Sequence, residues 1–409
     1  MNNLNVLIIH QNFPGQFRHL APWLADQGHK VVCLGDKHNI RASASNLPFR
    51  LIGYNARTDT RSKSHHYIHS FERAVRRGQD VTQACIKLRN KGFQPDLIVG
   101  HPAWGEMLFL RDIFPNPKIV TYFEYFYRAH GGDVNFDAEF PSTLDTHLKL
   151  RIRNSTQLHA LSDCNVGVSP TEWQRSTYPK HEQARIRVIH EGVDTNDLKP
   201  NSAAEFRLSD GRILTRKEQV VTFISRNLEP YRGFHIFMRA LPELQRRLPL
   251  AHFIIVGADG VSYGRPPSSP HQSYREQLLA EVGANLDITR VHFTGRLPYA
   301  YFVDLLQVSK LHVYLTYPFV LSWSMLEAMA CGAPVLGSAT PPVCELIEDG
   351  INGFLFDFFD QKQLIEKAVK ILAEDTTNVR AAARCKIEQE YSIRSNSLPA
   401  YRSLLDELF

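Results

Sequence analysis

No apolar run in the 409 residues approaches the ~18 that a membrane-crossing helix needs. The first fifteen residues, "MNNLNVLIIHQNFPG", lack a basic leader region; their apolar stretch has the length of a strand and ends at a turn. The chain is therefore expected to stay in the cytoplasm. Its six cysteines, Cys33, Cys85, Cys164, Cys331, Cys344 and Cys385, include no CxxC pair. That spacing excludes a zinc ribbon or disulfide scaffold and reads as reduced thiols in or beside apolar elements. G-x-G-x-x-G is missing after the first strand, which argues against a dinucleotide cofactor. DxD and His/Asp clusters with ligand spacing are also missing, so no metal is expected. A formal net charge of +5 is too mild to imply nucleic acid. Hydrophobic residues at 43% and charged residues at 22% exclude disordered, collagenous and coiled-coil classes.

What is present is a repeated alternation. Short β-branched runs at 4–10, 30–35, 96–100, 118–123, 165–169 and 186–192 are separated by helical patterns, the mark of a parallel sheet covered on both faces. "DTNDLKPNSAAEFRLSDGR" (194–212) reads as a linker. The pattern then restarts at 219–226, 252–257, 290–295, 311–316, 333–338 and 353–357 and closes with helices. The expected division is residues 1–195, one Rossmann-like domain; 213–385, a second; and 386–409, helices returning to the first. In such sheets, ligands bind on loops at the carboxyl ends of the strands. Basic residues cluster at 61–77 and 147–153; solvated helix faces, an anionic membrane surface or a phosphate-bearing acceptor each account for such clusters.

Three loops carry candidate chemistry. Gly15, after the first strand, lets backbone amides approach a phosphate or simply makes a tight turn. Arg226 stands at a strand end, and Arg232 follows in "SRNLEPYRGF" just before Gly233 and a helix. Two guanidiniums there can clamp a diphosphate, or form an exposed pair. In "PFVLSWSMLEAMACGAP" (318–334) one glutamate, Glu327, lies in an otherwise apolar helix that stops at Gly332 and Pro334. A buried carboxylate needs a donor, and either the protein or a ligand can supply it.

Taken in order, "SRNLEPYRGF", "FIIVGADG", "VHFTGRLP", "YPFVLSWSMLEAMACGAPV" and "ELIEDGINGFLFD" resemble the retaining GT-B glycosyltransferases of family 4, and "HQNFPGQFRHLAPWLADQGH" carries the likeness to the N-terminus. The resemblance implies two doubly wound Rossmann-like α/β domains facing across a cleft, with a C-terminal helix crossing back to the first. It implies diphosphate contacts from Arg226 and Arg232, base contacts from Gly295, Arg296 and Leu297, and ribose contacts from Glu327. Phe319 stands where the family has its first motif glutamate, which contacts hydroxyls of the donor sugar, and the flanking glycines are Val320 and Ser322; the backbone amides of Leu321, Ser322 and Trp323 can still meet the pyrophosphate. The family's His-Asp pair at a strand end reads Phe123 and Glu124 here. Glu124 and His130 become candidates to bind the transferring sugar or help deprotonate the acceptor, and His101 and Glu106 candidates for acceptor binding.

The activity so implied is transfer of a hexose, foremost glucose from UDP-glucose, to a saccharide or lipid-linked saccharide in bacterial exopolysaccharide or envelope assembly. It would retain configuration and need neither metal nor cofactor, in the cytoplasm or peripherally on the inner membrane surface. Two rivals share the fold. A nucleotide-sugar epimerase is separated by product analysis with donor alone, and a non-catalytic sugar-nucleotide sensor by the absence of turnover.

Overall fold

The computed structural model describes residues 3–40, 47–56 and 64–409. It divides into one unit of Met1–Gly192 with Asn396–Phe409 and a second of Val193–Ser395.

The first unit is built on seven parallel strands: β1 (Asn5–Ile9), β2 (Lys30–Asp36), β3 (Arg50–Tyr54), β4 (Leu97–Gly100), β5 (Lys118–Tyr122), β6 (Val166–Ser169) and β7 (Ile186–Val188). Their order is β3-β2-β1-β4-β5-β6-β7. Successive side chains leave a strand on opposite faces, and the sequence exploits this on both. Leu7 and Ile9 of β1, with Val32 and Leu34 of β2, join one core; Val6, Ile8, Val31 and Cys33 join the other. That is why β1 is apolar at every position. The helix Leu398–Leu408 completes the second of these cores with Tyr401, Leu404 and Leu405.

β3, "RLIGY", was not expected. It is an edge strand whose Leu51, Ile52 and Gly53 are only partly buried. The basic run at 61–77 lies partly outside the described residues. Its remainder opens the helix His69–Asn90.

The second unit opens with the segment expected to be a linker, and here the expectation fails. Leu198, Ala204, Phe206 and Leu208 are buried in the core of this unit, and β8 (Phe206–Arg207) pairs with β9 (Ile213–Leu214) as a small hairpin. The apolar residues in that stretch are too widely spaced to show periodicity, yet each finds a place in the core. Six parallel strands follow: β10 (Gln219–Asn227), β11 (Ala251–Ala258), β12 (Val291–Gly295), β13 (Leu311–Tyr314), β14 (Val335–Ser338) and β15 (Phe354–Phe356). Their order, β12-β11-β10-β13-β14-β15, reverses direction between β10 and β13. Helix Thr377–Glu390 belongs to this unit, and Arg384 ties it to the carbonyls of Ala330 and Thr195 at 2.8 and 2.7 Å; the segment assigned to the first unit begins only at Asn396.

All six cysteines are free thiols, but Cys344 and Cys385 are exposed. Their apolar neighbours in sequence face the core while they do not.

Candidate functional site

In the second unit the chain reverses between β10 and β13, and the carboxyl ends of these strands form the crevice where open α/β sheets hold ligands. Arg226 is exposed on the last turn of β10. Arg232 is different: it lies in the short turn Pro230–Arg232 and is only 6% exposed. Its Nη1 donates to Thr316 Oγ1 and to the Val320 carbonyl, each at 2.8 Å, and its Cζ lies 5.3 Å from the Tyr263 ring centre. No carboxylate pairs with it among the described residues. A guanidinium is charged at any physiological pH, so this is a buried cation held directly by neutral groups, with the Glu229 carboxylate acting on it only through space.

The backbone around it is specified closely. Gly233 has φ +66° and ends the turn, and a Cβ there would lie 2.3 Å from Leu315 Cβ, so only glycine fits between Arg232 and the helix Phe234–Arg247. Glu229, between the two arginines in sequence, is fully buried and accepts from the amides of Ser262, Tyr263 and Gly264 at 2.9, 3.1 and 3.0 Å. It thereby fixes the loop that lays Tyr263 beside Arg232. Nothing in the sequence links Glu229 to residues some 35 positions away.

Phe319, in the loop after β13, is 4% exposed. Its ring lies 4.9 Å from that of Tyr263 and 5.7 Å from that of Tyr231. Phe319, Tyr263 and Tyr231 thus form an aromatic wall at this loop. Of the three backbone amides proposed for a pyrophosphate, that of Ser322 is already committed: it donates to Tyr314 Oη at 2.7 Å, and the Ser322 hydroxyl caps the helix Trp323–Ala330. Leu321 is partly buried against the core of this unit, and Trp323 is 36% exposed at the first turn.

Glu327 is the fifth residue of that helix and is 4% exposed. It lies beyond the first turn, where the helix dipole acts, so the dipole is not what stabilises it. Tyr299 Oη donates to Glu327 Oε1 at 3.2 Å, which corrects the idea that a ligand alone satisfies this carboxylate. Tyr299 is half exposed and opens the helix Tyr299–Val308, directly after Gly295, Arg296 and Leu297. Gly295 has φ +66° at the end of β12, Arg296 is exposed, and Leu297 packs on the core. The second unit therefore gathers Arg226, Arg232, Gly295 to Leu297, Leu321 to Trp323 and Glu327 onto the loops following β10, β12 and β13.

In the first unit the loops after β1, β4 and β5 bring together His10, Gln16, His101, Trp104 and Glu124. Gln16 Nε2 donates to Glu124 Oε1 at 2.8 Å, and His101 Nε2 stands 3.5 Å from Glu124 Oε2. The Glu124 side chain is 30% exposed. Burial alone would raise its pKa, but the His101 N–H that faces it, with the neighbouring His10 ring and the hydrogen bond from Gln16, outweighs burial and holds the carboxyl below its ordinary value. Burial, with His101 nearby, pushes the His10 pKa down to about 3, so His10 is neutral. Neither His10 nor Gln16 was singled out from sequence, although "HQNFPGQF" places both beside Gly15.

Of the two readings of Gly15 the tight turn is the one seen: it begins a three-residue turn, and a Cβ on it would sit 2.4 Å from the His10 ring; its bareness seats that imidazole. Three expectations change. His101 is fully buried, stacked on Trp104 with ring centres 4.5 Å apart, so it supports Glu124 from behind. Glu106 is also wholly buried: it accepts from Tyr54 Oη at 2.9 Å and faces Arg77 Nε at 3.7 Å. Desolvation raises its pKa, and the residue serves the interior. His130 is exposed and packs edge-on to His147 at 5.2 Å, apart from the Glu124 group.

Two family models match the chain in succession, "Glycosyl transferase family 4 group" over residues 27–198 and "Glycosyl transferases group 1" over 207–388. The structure is similar over 99% of its length to all of a sucrose-phosphate synthase from Thermosynechococcus elongatus, with TM-score 0.73 and 17% identity. It is likewise similar, at TM-score 0.70 and 16% identity, to all of the Anabaena protein HepE solved with UDP-glucose, again over 99% of this chain. At such identities the likeness is one of fold. Among curated proteins it is 28% identical over 188 residues to a D-inositol 3-phosphate glycosyltransferase of Mycobacterium marinum, 44% of this chain and 36% of that one. A counterpart from Corynebacterium jeikeium is 26% identical over 47% of this chain and 45% of that one. The match thus spans less than half the length of these curated relatives. With both halves matched in order and each built on a doubly wound parallel sheet, the chain belongs to the family 4 glycosyltransferases of GT-B fold.

Proposed function

We propose that this protein transfers a hexose from a nucleoside diphosphate sugar to a saccharide or lipid-linked saccharide, with retention of configuration and without a metal ion. The observation that carries the reading is Arg232, a buried cation without a carboxylate partner at the reversal point of the second sheet. A diphosphate supplies the missing charge. Its nucleoside is assigned to the Gly295–Leu297 loop, and its ribose hydroxyls to Glu327, whose Oε1 accepts from Tyr299.

In the proposed reaction the bond from the sugar's anomeric carbon to the diphosphate oxygen breaks, a bond to the acceptor oxygen forms on the same face, and the acceptor proton passes to the departing phosphate. Arg232, with Arg226 at the rim, offsets charge developing on the leaving group. No enzymic nucleophile is needed, which disfavours a glycosidase with two opposed carboxyl groups. UDP-glucose is the donor of choice in this reading, supported by the Anabaena protein solved with that molecule.

A membrane-bound acceptor is supported by the helix Leu144–Arg153, where Leu144 and Leu148 are 72% and 43% exposed beside exposed Lys149 and Arg151. A leucine-and-lysine face of this kind suits an anionic bilayer surface, and the proposed location is the cytoplasmic face of the membrane. No helix among the described residues is long and apolar enough to cross it.

Because two arginines carry the charge role, turnover is expected to persist in excess EDTA, measured as release of nucleoside diphosphate. A loss that magnesium or manganese restores would refute metal independence. Arg226→Ala is expected to raise the donor KM by at most about fivefold, as for other exposed charges, and the effect should shrink with added salt. A loss as great as that from changing Arg232 would overturn the distinction between rim and buried arginine.

A further inference from the structure

The polar chain that reaches Glu124 has a single polarity, and that polarity has a cause. The Asn12 amide donates to His10 Nδ1 at 3.0 Å, so the neutral ring carries its proton on Nε2. That proton is given to Gln16 Oε1 at 2.8 Å, and the amide is thereby turned with its Nε2 toward Glu124 Oε1, again at 2.8 Å. On the other side the Ala103 amide donates to His101 Nδ1 at 3.2 Å, so its N–H is on Nε2, facing Glu124 Oε2. Trp104 closes over both histidines, with ring centres 4.5 Å from His101 and 5.2 Å from His10. Every group in this chain comes from a loop following β1, β4 or β5.

We propose that Gln16 and His10 are positioning residues: through this one-way chain they hold Glu124 as an oriented hydrogen-bond acceptor whose open side receives a hydroxyl of the saccharide acceptor. The open side calls for a neutral donor. The carboxylate already accepts the Gln16 N–H and has His101 Nε2 3.5 Å from its other oxygen, and among the described residues no lysine or arginine forms an ion pair with it. A hydroxyl both fits that geometry and is the group that glycosyl transfer consumes. The second half of the proposal rests on the transferase reading; the first is a property of the protein alone.

The remaining groups around Glu124 do not supply the same control. The Tyr122 and Tyr178 hydroxyls lie within electrostatic reach of Glu124, and both are buried with pKa values pushed far up, so they stay neutral. The Glu124 carbonyl accepts from Gln174 Nε2 at 2.7 Å, which fixes the backbone and leaves the carboxylate to Gln16 and the histidines. Because the folded pKa of Glu124 is depressed, the carboxylate is charged from neutral pH down through the ordinary glutamate range. It loses that charge only below it.

The test is carboxyl carbon NMR of the full chain labelled at glutamate, with Glu124→Gln identifying the resonance. Wild-type Glu124 is expected to titrate below the usual range for glutamate, which lies near 4.3. Gln16→Leu should raise that midpoint by about one pH unit or more, on the scale of losing one hydrogen bond to the charged form. His10→Phe, which keeps a ring against Gly15 but frees the Gln16 amide to turn, should raise it by less. In turnover, the acid limb of kcat/KM should move in step with the carboxyl midpoint. An ordinary midpoint in the wild type, or one unmoved by Gln16→Leu in a variant of native circular dichroism, overturns the positioning role. A carboxyl midpoint that moves while the acid limb stays fixed overturns the link to the acceptor hydroxyl. A chain with no turnover at all would count against the transferase reading, and the titration would still decide the positioning one.

Discussion

Arg232→Met is expected to lower turnover by about 10²- to 10³-fold, the usual cost of deleting one preorganised group that faces transition-state charge, while leaving the fold in place. Methionine follows most of the arginine stem and is accommodated in irregular apolar space, here against Tyr263 and beneath the Val320 carbonyl. Two hydrogen bonds from Nη1 are lost, to Thr316 and Val320. The hydroxyl of Thr316 can turn to another acceptor, and removing a buried charge that no carboxylate contacts offsets the stranded carbonyl. Circular dichroism and the melting temperature should therefore change little. The decisive comparison is kcat for nucleoside diphosphate release in the two proteins at saturating donor. A variant with wild-type kcat would show that Arg232 is a packing residue that happens to be charged.

Glu327→Gln separates binding from folding in the same way but with a different partner. In the unliganded protein the glutamine amide oxygen still accepts from Tyr299 Oη, whose ring is half exposed and can otherwise turn to water. Apo stability should thus fall only slightly. Ribose hydroxyls, in contrast, donate to both carboxylate oxygens, and an amide offers one acceptor and two competing donors. The charge-assisted bonds lost are worth about 1.5 to 3 kcal/mol, or roughly a 10- to 150-fold weaker Kd. Melting curves with and without UDP read both effects. A ligand at ~100 times its Kd stabilises by about 2.7 kcal/mol, and the variant should forfeit most of that increment at the same UDP concentration. If the variant melts early and yet gains the wild-type increment, Glu327 is a structural partner of Tyr299 and the ribose assignment is wrong.

The two residues also mark what could be read from the sequence and what could not. The two doubly wound sheets were legible because their inner strands are apolar on both faces, as the division of β1 between two cores explains. β3 was not: it is a short edge strand whose Leu51 and Ile52 pack on different cores but stay only partly buried. The linker was misread for the opposite reason: Leu198, Phe206 and Leu208 are isolated among polar residues, and only the folded chain shows that all three point inward.

At the site, a charge in an apolar helix singled out Glu327 and a place on a strand-to-helix loop singled out Arg232, and the structure buries both. The partners themselves were hidden by separation along the chain. Tyr299 stands 28 positions from Glu327, Thr316 stands 84 from Arg232, and Gln16 stands 108 from Glu124. Sequence spacing also could not show that Arg226 and Arg232 are unlike, since burial depends on how the turn Pro230–Arg232 folds under Tyr263. Nor could it show that Glu106 points inward to Tyr54 whereas Glu124 faces partly outward.

The central claim is that the buried guanidinium of Arg232 awaits a diphosphate, and titration calorimetry of UDP into the wild-type protein and Arg232→Met, both in EDTA, tests it most directly. The account predicts saturable binding at one site in the wild type and a Kd weakened by about 10- to 150-fold in the variant, the equivalent of 1.5 to 3 kcal/mol for charge-assisted hydrogen bonds. Equal affinity in the two proteins, or no heat of binding in the wild type, would contradict it.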